Sequence, residues 1–288
     1  MKKLFSFIGI ATITILSFII SEKTTLAVKE VDSIMTQIKE NMDKYKQEPE
    51  NAIIKNNTII PGINGKIVNV NKSYRQMKKI NIYNDKYLIY EEQSPKITIK
   101  EQYNKYIIGG NPKKKSISII FIVKEKDNID EILNILNKTK TNGTFFIDGY
   151  WLEKNNEKMI QIIKQGNTIG NLSYNLDYTN EGYIWMNKII TKIGKQKTNY
   201  CYAEKENEKN IKECEKQKNY TIMPNIIATT NPMKTIKHKI TSGAIISMPI
   251  NEKTTQELEL IINYINRKGY KIETLENHIS ETIQKNNN

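Results

Sequence analysis

The chain has 288 residues, enough for one large domain or one domain with a small companion. Hydrophobic residues make up 38% and charged residues 26%, which excludes a wholly disordered chain. The net charge of +13 suits an anionic partner, but Arg75 and Arg267 are the only arginines and the lysines are spread along the chain. That excludes the clustered, arginine-rich footprint of a nucleic-acid binder.

Met1-Lys2-Lys3 precedes an uncharged stretch over 4–20, with Thr25 and Ala27 at small-x-small spacing. A basic start, an apolar run and a small-residue site describe a secretory signal. As a helix the run would span about 25 Å, near the thickness of a bilayer core, so residues 1–27 read as a signal peptide or a membrane anchor. Either reading places the remainder outside the cytoplasmic membrane. Val31, Ile34, Ile38, Met42 and Tyr45 then recur at helical spacing, predicting an amphipathic helix over 28–48 that Pro49 ends. Residues 49–112 are turn-rich, with short apolar runs at 67–70, 87–90 and 97–99 and a helix near 73–79. They read as a small α+β module closed by Gly109-Gly110-Asn111-Pro112.

From 116 onward strands and helices alternate. SISIIFIV at 116–123 is a continuous apolar strand of the kind buried on both faces. A helix at 128–138, a strand at 143–147, a helix at 156–165 stopped by Gly166, and a strand from 168 follow. Strands at 198–202, 220–223, 244–248 and 270–274 alternate with helices at 207–218 and 255–267. This rhythm predicts a mostly parallel α/β sheet, open or closed as a barrel. Cys201 and Cys214 fall on a strand and the next helix; a disulfide is open to them, while two buried thiols are the expectation.

Four segments carry a family resemblance: GTFFIDGYWLE (143–153), MIQIIKQGNTIGN (159–171), GAIISMPI (243–250) and INYINRKGYKIETL (262–275). Their order resembles the polysaccharide deacetylases, the NodB-homology carbohydrate esterases. The markers Phe121, Thr144, Phe145, Phe146, Gly149, Trp151, Gly166, Ile169, Gly170 and Asn171 match in order and spacing. The resemblance covers 113–280 and implies a distorted (β/α) barrel with its site at the C-terminal strand ends.

That family's reaction needs a carboxylate and two histidines on a divalent metal, usually zinc, with a second Asp as base and a late His as acid. Here the paired Asp positions match Ile122 and Val123, and the metal histidines match Leu172 and Leu176. The family's Arg-x-Pro segment has no counterpart in 194–210, and the strand expected to end in His ends Ser247-Met248-Pro249. His238 and His278 lie elsewhere and read as surface residues. Aliphatic groups offer a metal no donor. The expectation is therefore a pseudoenzyme with no catalytic residues and no cofactor, facing cell-wall glycan or an anionic wall polymer and held to the membrane through its N-terminal helix.

Two other readings stay open. Asp148 and Asp177 follow strand ends and could serve a relocated hydrolytic site for N-acetyl bonds, although loop capping is the ordinary use of such acids. Alternatively, the N-terminal module carries an interaction function. Tyr174, Tyr178 and Tyr183, placed in a loop by the sequence, are the candidates for stacking on sugar rings.

Overall fold

The computed structural model describes residues 32–195 and 197–282, together with Ile15 and Ser17. Apart from those two positions, the proposed signal or anchor over 1–27, and Val31 of the amphipathic stripe, lie outside the described residues. Among the described residues no helix is long and apolar enough to cross a membrane.

In chain order the elements are α1 (Ser33–Asn41), β1 (Ile53–Lys55), β2 (Thr58–Ile60), β3 (Gly65–Val68), α2 (Val70–Lys78), β4 (Tyr90–Gln93), β5 (Tyr106–Ile107) and β6 (Ser116–Val123). Then follow α3 (Asp130–Lys138), β7 (Thr144–Ile147), α4 (Gly149–Lys154), α5 (Asn156–Lys164), β8 (Thr168–Asn171), α6 (Asn180–Gly194), β9 (Tyr200–Tyr202) and α7 (Glu208–Lys216). The chain closes with β10 (Tyr220–Ile222), β11 (Ile226–Ile227), α8 (Pro232–Lys239), β12 (Ile245–Pro249), α9 (Glu252–Arg267), β13 (Lys271–Glu273) and α10 (Leu275–Ile279).

Two compact units emerge. One holds the described residues up to Pro49 together with Asn64–Ser94; the other holds Glu50–Ile63 and Pro95–Thr282. In the first, Asp32 caps α1 by accepting from Ile34 N–H at 2.9 Å, and Asn69 caps α2 by accepting from Lys72 N–H at 2.9 Å. Ile34, Met35 and Ile38 of α1 pack with Tyr74 and Met77 of α2, and with Val68 and Leu88 beside the antiparallel β3–β4 pair.

The second unit is an α/β sheet ordered β1-β2-β5-β10-β9-β8-β7-β6-β12-β11, with β13 also on β6. All its pairings are parallel except the β1–β2 hairpin. The order ends at β1 and β11 among the described strands, so the sheet curls without closing by a ladder. Segments 53–60 and 106–107, expected in a small module ending at 112, are strands of this sheet: β2 pairs β5 and β5 pairs β10. Their two or three residues are too few to display a period. Ile97–Ile99, expected as a strand, forms none.

Period-2 alternation along β6 sorts the core into two layers. Ile117, Ile119, Phe121 and Val123 face the helices with Phe145, Leu133 and Ile262; Ile120 and Ile122 face the sheet's concave interior with Phe146, Leu172 and Ile245. The covering helices follow from their sequences. In α3, Ile132, Leu133 and Leu136 share one face, with Asp130 and Glu131 at the end that favours anions.

His278 corrects the surface expectation: it is wholly buried. Gly110 N–H donates to Nε2 at 3.0 Å, Nδ1 lies 2.8 Å from Ser116 Oγ, and the Gly243 carbonyl oxygen lies 3.1 Å from Nε2. Gly110 is required because a Cβ there would come within 2.6 Å of the ring. Lys114 Nζ donates to the carbonyls of Asn277 and Ser280 at 2.7 and 2.9 Å, capping the end of α10. Burial pushes the His278 pKa down to about 4; the Gly243 carbonyl opposes this and nearby Lys114 adds to it. Cys201 and Cys214 form a disulfide with Cα atoms 6.2 Å apart, where two thiols were expected. Both are fully buried, one on β9 and one on the adjoining face of α7, which brings them within bridging distance.

Two outcomes follow. An unfolded histidine gains its proton near pH 6.5 and His278 only near 4, so its contribution is present above 6.5 and lost as the pH falls through that window. Denaturant melts should show wild-type stability dropping by about 3 kcal/mol at most over that range, and His278→Gln should flatten the drop. The double substitution Cys201→Ala with Cys214→Ala should cost about 3 kcal/mol in the same assay, given the short loop it reopens.

Candidate functional site

Ligand sites in sheets of this kind form at the C-terminal strand ends, where loops converge. Here β6 ends with Ile122 inward and Val123 outward, so the two positions matched to the paired Asp do not share a face. Ile122 lies in register with Phe146 on β7 and Pro249 on β12. Leu172 follows β8 and is wholly buried in the interior cluster, against which the half-buried Leu176 packs. Ile122, Leu176 and Pro249 also line a cavity of about 140 Å³ with Tyr178, Tyr202 and Ser247, while Lys124 and Glu204 stand at its rim. The structure therefore brings Ile122, Leu172, Leu176 and Pro249 to one mouth and leaves Val123 in the outer layer.

Besides the exposed Lys124 and Glu204, the polar groups of the cavity are hydroxyls. Tyr202 Oη and Ser247 Oγ lie 3.3 Å apart. Burial pushes the Tyr178 hydroxyl up to about 12, with Tyr202 and Asp148 adding to the shift, so it stays protonated near neutrality. The divalent metal implied by the resemblance needs oxygen, nitrogen or sulfur donors. The side chains of Ile122, Leu172 and Leu176 present hydrocarbon at the matching places, and no group of three or more His, Cys, Asp or Glu among the described residues could hold an ion. The residues present do not fit the metal.

Asp148 and Asp177 serve the loop that crosses this mouth. Asp148 is 3% exposed and accepts from Leu176 N–H at 3.2 Å. Burial raises its pKa, and the surrounding amides of Leu176, Tyr150, Asn175 and Gly149 resist the rise. Asp177 is exposed and accepts from Ser173 Oγ at 2.6 Å and from Thr179 N and Oγ1 at 3.1 and 3.0 Å. Burial works to raise its pKa, but these donors outweigh it and hold the carboxyl below its usual range. Neither acid lines the cavity. They restrain an unusual backbone: Ser173, Asn175, Leu176 and Tyr178 all have left-handed φ, from 52° to 67°. Each such non-glycine residue costs about 1–2 kcal/mol, so the loop holds its shape only because its neighbours over-determine it.

The three candidate tyrosines part company. Tyr178 is half-buried and lines the cavity. Tyr174 lies edge-on to Trp185 and Tyr150, with ring centroids 5.2 and 6.0 Å away, and donates to Glu153 at 3.1 Å. Tyr183, placed in a loop from the sequence, sits inside α6, is fully buried, and donates to Asn210 Oδ1 at 2.5 Å. Thr179 caps that helix by accepting from Gly182 N–H at 3.1 Å, a start signal present in the sequence and overlooked. Tyr202 and Ser247 were also missed, although Ser247 alternates with the outward Met248 and so had to face inward.

A curled parallel sheet, a loop-lined mouth and an apolar lining define an α/β half-barrel, with no metal-binding set among the described residues. Residues 109–224 match the family model described as polysaccharide deacetylase. The YlxY protein of Bacillus subtilis (strain 168) is 28% identical over 281 residues, covering 87% of this chain and 85% of its own. The fold matches wild-type BA3943, a CE4 family pseudoenzyme from Bacillus anthracis, with a TM-score of 0.68 at 24% identity, over 87% of this chain and 96% of that one. A BA3943 mutant with restored enzymatic activity gives 0.69 at 24% identity over 87% and 99%. The peptidoglycan deacetylase PdaC from Bacillus subtilis gives 0.51 at 18% identity over 58% and 91%. Over residues 109–224 the chain is thus similar to the polysaccharide deacetylases, while the aliphatic residues at the mouth offer a metal no donor.

Tyr183→Ala should cost about 3–5 kcal/mol of unfolding free energy, as expected for emptying a buried aromatic site. Tyr183→Phe should cost about 1–3 kcal/mol by leaving Asn210 Oδ1 without its donor. Chemical denaturation of the two variants beside wild type checks both.

Proposed function

We propose that the chain is a catalytically silent member of its family, placed at the cell envelope, that keeps the barrel mouth as a glycan-facing surface. The observation that carries this reading is the packing of Ile122, Leu172 and Leu176 in one apolar cluster at the strand ends. Aliphatic side chains there relieve the barrel of half-buried charges, and the exposed Lys124 and Glu204 at the cavity belong to no metal-binding group among the described residues. The buried Asp148 is committed to the Leu176 amide and away from the cavity, which weighs against a relocated hydrolytic site.

Three features support the envelope placement: the signal-like N-terminus, the disulfide between Cys201 and Cys214, and family relatives such as PdaC that are peptidoglycan deacetylases. In this reading the apolar stretch over 4–20 holds the chain to the membrane and the remainder faces the wall. Tyr178 is the aromatic face offered to sugar, with the Tyr202 hydroxyl beside it.

Purified protein incubated with N-acetylated chito-oligomers or peptidoglycan and a divalent metal should release no acetate above background. Sustained acetate release would overturn catalytic silence. Insoluble peptidoglycan should pull down the wild type, and Tyr178→Ala should weaken that retention; a wild type that stays in the supernatant would overturn the glycan role.

A further inference from the structure

The first unit presents a feature that the barrel does not explain. After α2 the chain turns sharply: Ile80 N–H and Asn81 N–H donate back to the carbonyls of Met77 and Lys78 at 3.1 and 3.3 Å, and Asn81 takes a left-handed φ of 52°. Asparagine tolerates that conformation better than other non-glycine residues. The turn is therefore built, and it holds Ile80 and Ile82 outward at 48% and 63% exposure. Tyr87, five residues on, is 38% exposed. The intervening Tyr83 points the other way and packs against the unit's core.

Exposed cations flank this apolar tip in sequence. Between Val70 and Tyr87 the chain carries Lys72, Arg75, Lys78, Lys79 and Lys86 against a single carboxylate, Asp85. The Tyr45 hydroxyl donates to Asp85 and, with the Tyr83 hydroxyl nearby, keeps its pKa below the ordinary value. Lys78 pairs with Asp32, whereas no ion pair among the described residues engages Lys72, Arg75, Lys79 or Lys86. Isoleucine side chains at a tip with lysines behind them match the layering of an anionic bilayer, with hydrocarbon beneath and phosphate above. A wall polyanion would satisfy the lysines and offer the isoleucines nothing.

Sequence distance places such a bilayer within reach. Eleven residues, 21–31, separate the apolar stretch ending at Ile20 from Asp32, the cap of α1. Even fully extended, that length spans only about 40 Å. The unit bearing the tip is thus confined near whatever surface the stretch enters.

We propose that the 79–87 turn is a membrane-contact element: Ile80 and Ile82 enter the interfacial layer of an anionic bilayer while Lys79 and Lys86 meet its phosphates. The proposal rests on the reading that the N-terminal stretch tethers the chain to a membrane. Its effect is to add a second, oriented attachment to the one the N-terminal stretch provides.

Both native cysteines are joined in one disulfide, so a single introduced cysteine can be spin-labelled selectively. Full-length Ile82→Cys, with Leu260→Cys as an exposed control on the other unit, would be reconstituted into 3:1 phosphatidylcholine:phosphatidylglycerol vesicles. The label at 82 should collide with oxygen several-fold more, relative to a water-soluble nickel chelate, than the label at 260. Adding Lys79→Glu with Lys86→Glu should return the label at 82 to the control value. Protein that floats with vesicles while both labels read as water-exposed overturns this inference alone. Protein that fails to float overturns the tether and this inference together.

Discussion

The placement of β6 governs the rest of the barrel. Eight consecutive buried residues pair with β7, β12 and β13, so each side chain is committed to one of two layers. Ile117, Ile119 and Phe121 bind the helices, and Ile120 and Ile122 fill the interior. Once Ile122 points inward in register with Phe146 and Pro249, the chemistry of the mouth is decided by what stands beside it. Leu172 and Leu176 complete a hydrocarbon lining, and the loop bearing them is held in place by the carboxylates of Asp148 and Asp177.

A metal site and an apolar plug make opposite demands on that position. A metal-binding barrel must keep charged donors half-buried and aimed, at a desolvation cost repaid only when the ion is present. This chain replaces them with groups that gain from burial. The backbone that would have aimed the donors nevertheless persists. Asn171 Oδ1 still accepts from Ser173 N–H at 2.7 Å, and four left-handed residues still shape the loop. Polar anchoring of the loop and apolar filling of the mouth are thus separable.

Much of this was readable from residues alone, for identifiable reasons. Long buried strands and amphipathic helices carry their periods in sequence, so most of the strand and helix alternation after 116 emerged directly, though the helices at Asn180–Gly194 and Pro232–Lys239 and the strand Ile226–Ile227 did not. The marker glycines and aromatics carried the family because close packing demands them: a Cβ at Gly149 would lie 2.7 Å from the Tyr174 ring, and one at Gly170 would lie 2.4 Å from Phe146. Features that depend on distant partners were hidden. The strands β1, β2 and β5 are too short to show a pattern, and their membership in the large sheet is set by pairing with β10. His278 is buried by Gly110, Ser116 and Gly243, all far from it in sequence. At the mouth, Tyr178 was legible as a ligand candidate, whereas Tyr202 was visible only once the cavity was.

The central claim is that hydrocarbon at the barrel mouth leaves no seat for a divalent metal. It is tested most directly by equilibrating the purified full-length protein with excess zinc, removing loosely held ions by gel filtration, and measuring zinc per chain by elemental analysis. The account predicts retention far below one zinc per chain, unchanged by Asp148→Asn. One tightly held zinc per chain, lost on Asp148→Asn, would contradict it.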